Sequence, residues 1–102
     1  MDVTLLYFDG CPNWQETDER LRLALRTLGE DEQQLEWREV NSPEEAERLS
    51  FRGSPTVLVD GEDPFADPSA PVGLSCRLFR TPAGLAGAPT IDQPLQALRR
   101  AA

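Results

Sequence analysis

The spacing of apolar residues changes period several times along the chain, and each change marks an element. Val3 to Phe8 is an almost unbroken β-favouring run. Such a run predicts a strand covered on both faces. Asp9-Gly10 closes it with a turn signal. Leu21, Leu25 and Leu28 then recur at helical spacing, with arginines between them. They predict a helix from Pro12 to Leu28, opened by the proline and ended by Gly29. Leu35 to Val40 alternates, Leu35 and Trp37 against Glu36 and Arg38. That pattern predicts an edge strand with one wet face. Trp14 and Trp37 both fall at core-facing positions. Ser42-Pro43-Glu44-Glu45 is a capping box, opening a short helix to Leu49. Thr56 to Asp60 is a second buried-type run, ended by Gly61. Residues 62–75 show no period and read as a long loop. The tetrad Asp60-Gly61-Glu62-Asp63 lacks the ligand spacing of a calcium loop and reads as a turn. Cys76 to Arg80 predicts a fourth, short edge strand. Thr90 and Gln93 form a second capping signature, opening a last helix to Arg100 with Leu95 and Leu98 inward.

The predicted order is strand, helix, strand, helix, strand, strand, helix. It describes one α/β domain over residues 1–102. Strands one and two are joined through a helix and are expected parallel. The last two strands have no helix between them and are expected antiparallel. The unbroken runs belong in the centre of the sheet. The expected fold is a four-stranded mixed sheet, order 2-1-3-4, with helices on both faces.

Composition narrows the chemistry. Apolar residues make up 39% of the 102 positions and charged residues 27%, which suits a soluble globular domain. Eighteen acidic residues face ten basic ones, all arginine, giving a net charge of −8. Neither nucleic acid nor an anionic membrane surface is an expected partner of so acidic a chain. The longest apolar run is far short of the ~20 residues that span a bilayer. There is no histidine, which removes Ser-His-Asp and Cys-His catalysis and imidazole metal ligands. Two cysteines alone fall short of the four ligands of structural zinc, so no metal and no cofactor are expected. Asp2 and the absence of a basic opening segment predict no signal peptide. A reducing cytoplasm follows, where Cys11 and Cys76 read as thiols rather than a structural disulfide.

Two segments carry the candidate chemistry. Gly10-Cys11-Pro12-Asn13-Trp14 sets a cysteine directly after a buried strand, at the opening of a helix. Ser54-Pro55-Thr56-Val57-Leu58-Val59 sets a proline at the start of the third strand. With the element order, these resemble the thioredoxin-like superfamily over nearly the whole chain. The first segment resembles the glutaredoxin form of the redox motif. The nearest likeness is to a small bacterial group, some of whose members carry the label alkylmercury lyase. The resemblance implies a three-layer thioredoxin-like sandwich and a cis Ser54–Pro55 peptide facing Cys11. It also implies thiol–disulfide exchange at Cys11, with Pro12, Asn13, Trp14, Ser54 and Pro55 forming the binding surface. The partner would be a protein or small-molecule thiol or disulfide. Two departures stand out. Trp14 occupies the place of the second motif cysteine, and the glutaredoxin Gly-Gly-x-Asp signature is absent. The resemblance therefore implies a monothiol protein without a defined glutathione site.

Apart from any resemblance, a thiol at a helix N-terminus meets free backbone N–H groups and the positive dipole end, which favour thiolate. Cys11 is accordingly expected to be partly exposed and the more reactive thiol. The bland alternative is a small buried hydrophobe. Cys76 is the candidate resolving thiol. Placed at the start of a fourth strand, however, it would lie a strand length, ~15 Å, from Cys11. A disulfide needs Cα atoms within ~7 Å. Cys76 is therefore expected to stand apart, unless the loop over 61–75 folds back. Three functions follow: exchange at Cys11, a non-catalytic module for a protein or soft metal, and organomercurial cleavage. The last needs both sulfurs on one metal and a proton donor such as Asp9. The distance between the two thiols discriminates among them.

Overall fold

A computed structural model describes residues 2–67 and 69–101. The elements are β1 (Val3–Tyr7), α1 (Trp14–Thr27), β2 (Leu35–Glu39), α2 (Pro43–Arg48), β3 (Thr56–Val59), β4 (Phe79–Thr81), β5 (Gly84–Ala86) and α3 (Asp92–Ala101). The sheet order is β2-β1-β3, with β1 parallel to β2 and antiparallel to β3. β4 and β5 form a separate antiparallel pair.

Side-chain alternation along β1 builds both cores. Val3 and Leu5 lie opposite Val59 and Val57 in the register. They pack with Leu21, Ala24 and Leu25 of α1 and Leu98 of α3. Leu6 points to the other face and packs with Val40, Phe51 and Ala46 of α2. Helices therefore cover both faces, and β1 carries apolar residues on both of its sides. Each fully buried Leu or Val contributes about 1.5–3 kcal/mol.

Local signals act as their chemistry predicts. The Ser42 hydroxyl accepts a hydrogen bond from the Glu45 amide at 3.1 Å. Thr90 and Gln93 cap each other reciprocally, at 2.9 and 3.3 Å. Each such cap is worth about 1 kcal/mol. α1 begins at Trp14, later than expected. Pro12 lies in the turn before it rather than in its first turn.

The fourth strand departs from expectation: the sheet has three strands, not four. After β3, Asp60 and Gly61 take positive φ, +52° and +84°, as a two-residue hairpin turn requires. Val59 and Glu62 exchange both hydrogen bonds across it, at 2.7 and 3.1 Å. In an antiparallel ladder the next hydrogen-bonded pair would be Val57 with Pro64. Pro64 has no N–H to donate, so the hairpin stops after one pair. The chain leaves the edge and later returns to the opposite end of β3. There Cys76 bridges Ser54 in parallel, not in the antiparallel sense expected. Strand pairing resumes only at Phe79, and then with β5.

Trp37 also departs from expectation. It is 52% exposed, although Leu35 on the same strand face is buried. Its indole N–H donates to the Asp18 carboxylate at 2.8 Å, and the Arg22 guanidinium lies 5.7 Å from the ring centroid. Indole needs an acceptor when covered. The one it finds is on the polar flank of α1, which draws the ring out from under the helix.

Candidate functional site

β1 ends in a tight turn. The Cys11 amide donates to the Phe8 carbonyl at 3.0 Å, which turns Cys11 back over the end of the sheet. The antiparallel register places Leu6 opposite Thr56, so the start of β3 lies beside this turn. The Ser54–Pro55 peptide is cis.

Ser54 joins the two cysteine segments. Its hydroxyl accepts from the Phe8 amide at 3.1 Å, and its carbonyl accepts from the Cys11 thiol at 3.5 Å. On its other side its amide donates to the Ser75 carbonyl at 2.7 Å, while its carbonyl also accepts from the Arg77 amide at 2.8 Å. The β1 turn and the returning 75–77 segment are thus fixed to one residue. Cys76, between Ser75 and Arg77, bridges Ser54, the residue whose carbonyl accepts from the Cys11 thiol.

This overturns the expectation that Cys76 stands apart. The loop over 61–75 does fold back, and Arg77 anchors it. Arg77 is buried and pairs with Asp63 at 2.6 Å. It also donates to the Phe65 carbonyl, and its guanidinium lies 4.7 Å from the Phe79 ring centroid. Gly53 forms the seat beneath. A Cβ there would lie 3.1–3.2 Å from the Cβ, Cα and backbone N of Arg77. The sequence reading gives Asp63 only as part of a turn and Arg77 only as part of a short strand, without pairing them. The available signal was an arginine between apolar neighbours, Cys76 and Leu78, beyond an acidic loop.

The two thiols differ in access. Cys11 is 0% exposed, not partly exposed as expected, because the Ser54 segment and the Phe8–Cys11 turn enclose it. Its sulfur donates to a carbonyl rather than facing the amides of α1, which begins three residues later. Cys76 is exposed. Its thiol is held above the ordinary cysteine range, first by the hydrogen bond with Cys11, then by partial burial and by charge repulsion from Cys11. A thiol donating its proton to a neighbouring sulfur gives up that proton less readily.

Of the expected surface residues, Ser54 lies against the Cys11 thiol, whereas Asn13 and Trp14 make their contacts elsewhere. Pro12 is exposed and Asn13 half-buried. Asn13 packs against Gly87, where a Cβ would come within 2.3 Å of its amide nitrogen. Trp14 stacks on Tyr7 at 4.3 Å and meets Trp37 edge-on at 5.2 Å, forming an aromatic ladder. Ser54 and Pro55 are buried. Asp9 is exposed. Among the described residues, no three His, Cys, Asp or Glu side chains are grouped to hold a metal ion. Nor is any helix long and apolar enough to cross a membrane.

Comparison with known proteins finds no matching family model, no matching curated protein and no matching solved structure. The reading of the site rests on its own chemistry.

Proposed function

We propose that the chain is a thiol–disulfide exchange protein of thioredoxin-like design, cycling Cys11 and Cys76 between two thiols and one disulfide. The observation that carries this reading is that Cys76 bridges Ser54, whose carbonyl accepts from the Cys11 thiol. Supporting it are the β2-β1-β3 sheet with helices on both faces and the Ser54–Pro55 segment against Cys11. In this reading Cys76 to Arg80 is the counterpart of the superfamily's fourth strand, shifted by the break at Pro64. The second thiol supplied by the usual motif comes here from that segment instead of from position 14. The acidic surface fits a soluble cytoplasmic partner bearing a disulfide, and no nucleic acid.

Access sets the roles. The exposed Cys76 thiolate attacks one sulfur of an incoming disulfide. The disulfide bond breaks, and one half leaves as a thiolate that takes up a proton. The Cys11 sulfur, having lost its proton, then attacks Cys76 and releases the second half. The substrate is reduced to two thiols and the cysteine pair is oxidised. An external dithiol restores the pair.

The test is one equivalent of an aromatic disulfide, such as dithiobis-nitrobenzoate, added to the reduced chain. The expected result is release of both aryl thiolates and a protein lighter by two hydrogens. Cys11→Ala should retain a stable aryl adduct on Cys76, and Cys76→Ala should react slowly. A persistent adduct on the wild-type chain would overturn the dithiol cycle.

The same juxtaposition favours a second reading, a soft cation held by two sulfurs. Thiolates select such ions. One equivalent of silver(I), bound by the wild-type chain and lost after alkylation of Cys76, is the result expected of it.

A further inference from the structure

Cys76 opens onto a groove of about 320 Å³, the size of a small-molecule site. More of its wall is apolar than polar. Leu78 and Leu85 stand in that wall with Cys76. They are 63% and 65% exposed, more than any other large apolar side chain among the described residues. A single exposed leucine needs no explanation, but two in one concavity with an exposed thiol do. The charged groups of the wall are already engaged. Arg77 pairs with Asp63, and Arg52 donates to the Ala70 carbonyl. Hydrogen bonds from the Ser69 side chain and amide, and then the charges of Arg80 and Arg77, hold the Asp67 carboxyl below its usual range. Asp67 is therefore ionised at neutral pH, and its charge balances that of Arg80. A charged substrate group entering the groove gives up water without gaining a partner of its own. A methylene entering it leaves water for the leucines, a gain of about fourfold in affinity.

We infer that the groove selects small, uncharged disulfides with apolar arms, such as dialkyl disulfides, one arm lying against Leu78 and Leu85 as its sulfur meets Cys76. The inference rests on the exchange reading and names its substrate class. The Cys76 thiolate attacks the sulfur of the held arm. The disulfide bond breaks, and the outer arm leaves as a thiolate that takes up a proton. The deprotonated Cys11 sulfur then attacks Cys76 and frees the held arm as a second thiol. Both sulfurs of the substrate are reduced, and the cysteine pair is oxidised to a disulfide.

The experiment measures second-order rates of reduction of dimethyl, diethyl and dipropyl disulfide by the reduced chain. Each rate is divided by that of the same disulfide with mercaptoethanol, which removes intrinsic reactivity. The normalised rate is expected to rise about two- to fourfold with each methylene added to the arm, whatever the sodium chloride concentration. Bis(2-hydroxyethyl) disulfide, which carries a hydroxyl where the dipropyl compound has a methyl, should be slower than it by about fivefold or more. Dithiodiglycolate and cystamine, of opposite charge, should both be slower too. Leu78→Asn and Leu85→Asn should each flatten the dialkyl series. Leu23→Asn, on α1 outside the groove, should keep the wild-type slope. The slope is a ratio within one variant, so it reads the groove whatever a substitution does to the overall rate. A flat wild-type series, a charged disulfide faster than dipropyl disulfide, or a slope that the groove leucines affect no more than Leu23 does overturns the inference and leaves the exchange reading standing. Absence of exchange with every disulfide overturns the exchange reading and the inference with it.

Discussion

The guanidinium of Arg77 meets the carboxylate of Asp63 at 2.6 Å, with side-chain exposures of 6% and 18%. Asp63 begins the loop that leaves the sheet, and Arg77 follows the cysteine to which that loop leads. The pair therefore fixes where Cys76 stands. Removing one partner of a buried pair leaves an uncompensated charge, at a cost of about 3–5 kcal/mol. Asp63→Asn should lower stability by about 3 kcal/mol and slow closure of Cys11 onto Cys76. Replacing both partners, Asp63→Leu with Arg77→Met, should recover stability. Chemical denaturation and the aryl-thiolate release described above read the two effects separately. Unchanged release kinetics in Asp63→Asn would show that the pair does not position the cysteine.

The raised Cys76 thiol predicts a change in pH dependence. Cys76 is held above the ordinary thiol range, chiefly by its hydrogen bond with Cys11. A raised thiol has less thiolate at neutral pH and alkylates more slowly. Cys11→Ala removes both the hydrogen bond and the repulsion. The midpoint of Cys76 alkylation against pH should therefore fall, and the rate near pH 7 should rise several-fold. A midpoint that stays or climbs would mean that Cys11 is not what raises the Cys76 thiol.

Much of this arrangement is legible in the residues. The unbroken runs mark β1 and β3 because burial on both faces removes alternation. The two capping boxes mark α2 and α3 because their hydrogen bonds are local. What fails to show is set by partners distant in sequence. Trp37 alternates like a core residue, yet Asp18, nineteen positions earlier, draws its indole outward. Cys76 opens what reads as a hairpin strand, but Pro64 interrupts the ladder and Arg77 redirects the chain. Counting the ladder register from the Asp60-Gly61 turn exposes the proline break; nothing local points from Arg77 to Asp63.

Gly53 offers a test that alters neither sulfur and neither charge of the ion pair. Its φ of +114° is a conformation that side chains avoid, and a Cβ there would press on Arg77. Gly53→Ala should cost about 1–3 kcal/mol and lift the 75–77 segment from Ser54. Gly29, at φ +75° with open space around it, is the control. Gly29→Ala should destabilise without altering closure of the thiol pair. Equal closure rates in the two variants would rule out Gly53 as the seat of the Cys76 segment.

Cys11 and Cys76 stand 65 positions apart in the chain. Joining them would convert most of the polypeptide into a covalent ring. In the chain-entropy account, a ring of that length withholds about 4 kcal/mol of freedom from the unfolded state. Oxidation and folding are then linked quantities: the oxidised form melts at higher temperature and resists proteases longer than the reduced form. A cell's thiol balance would set the survival time of the protein as well as its readiness to react.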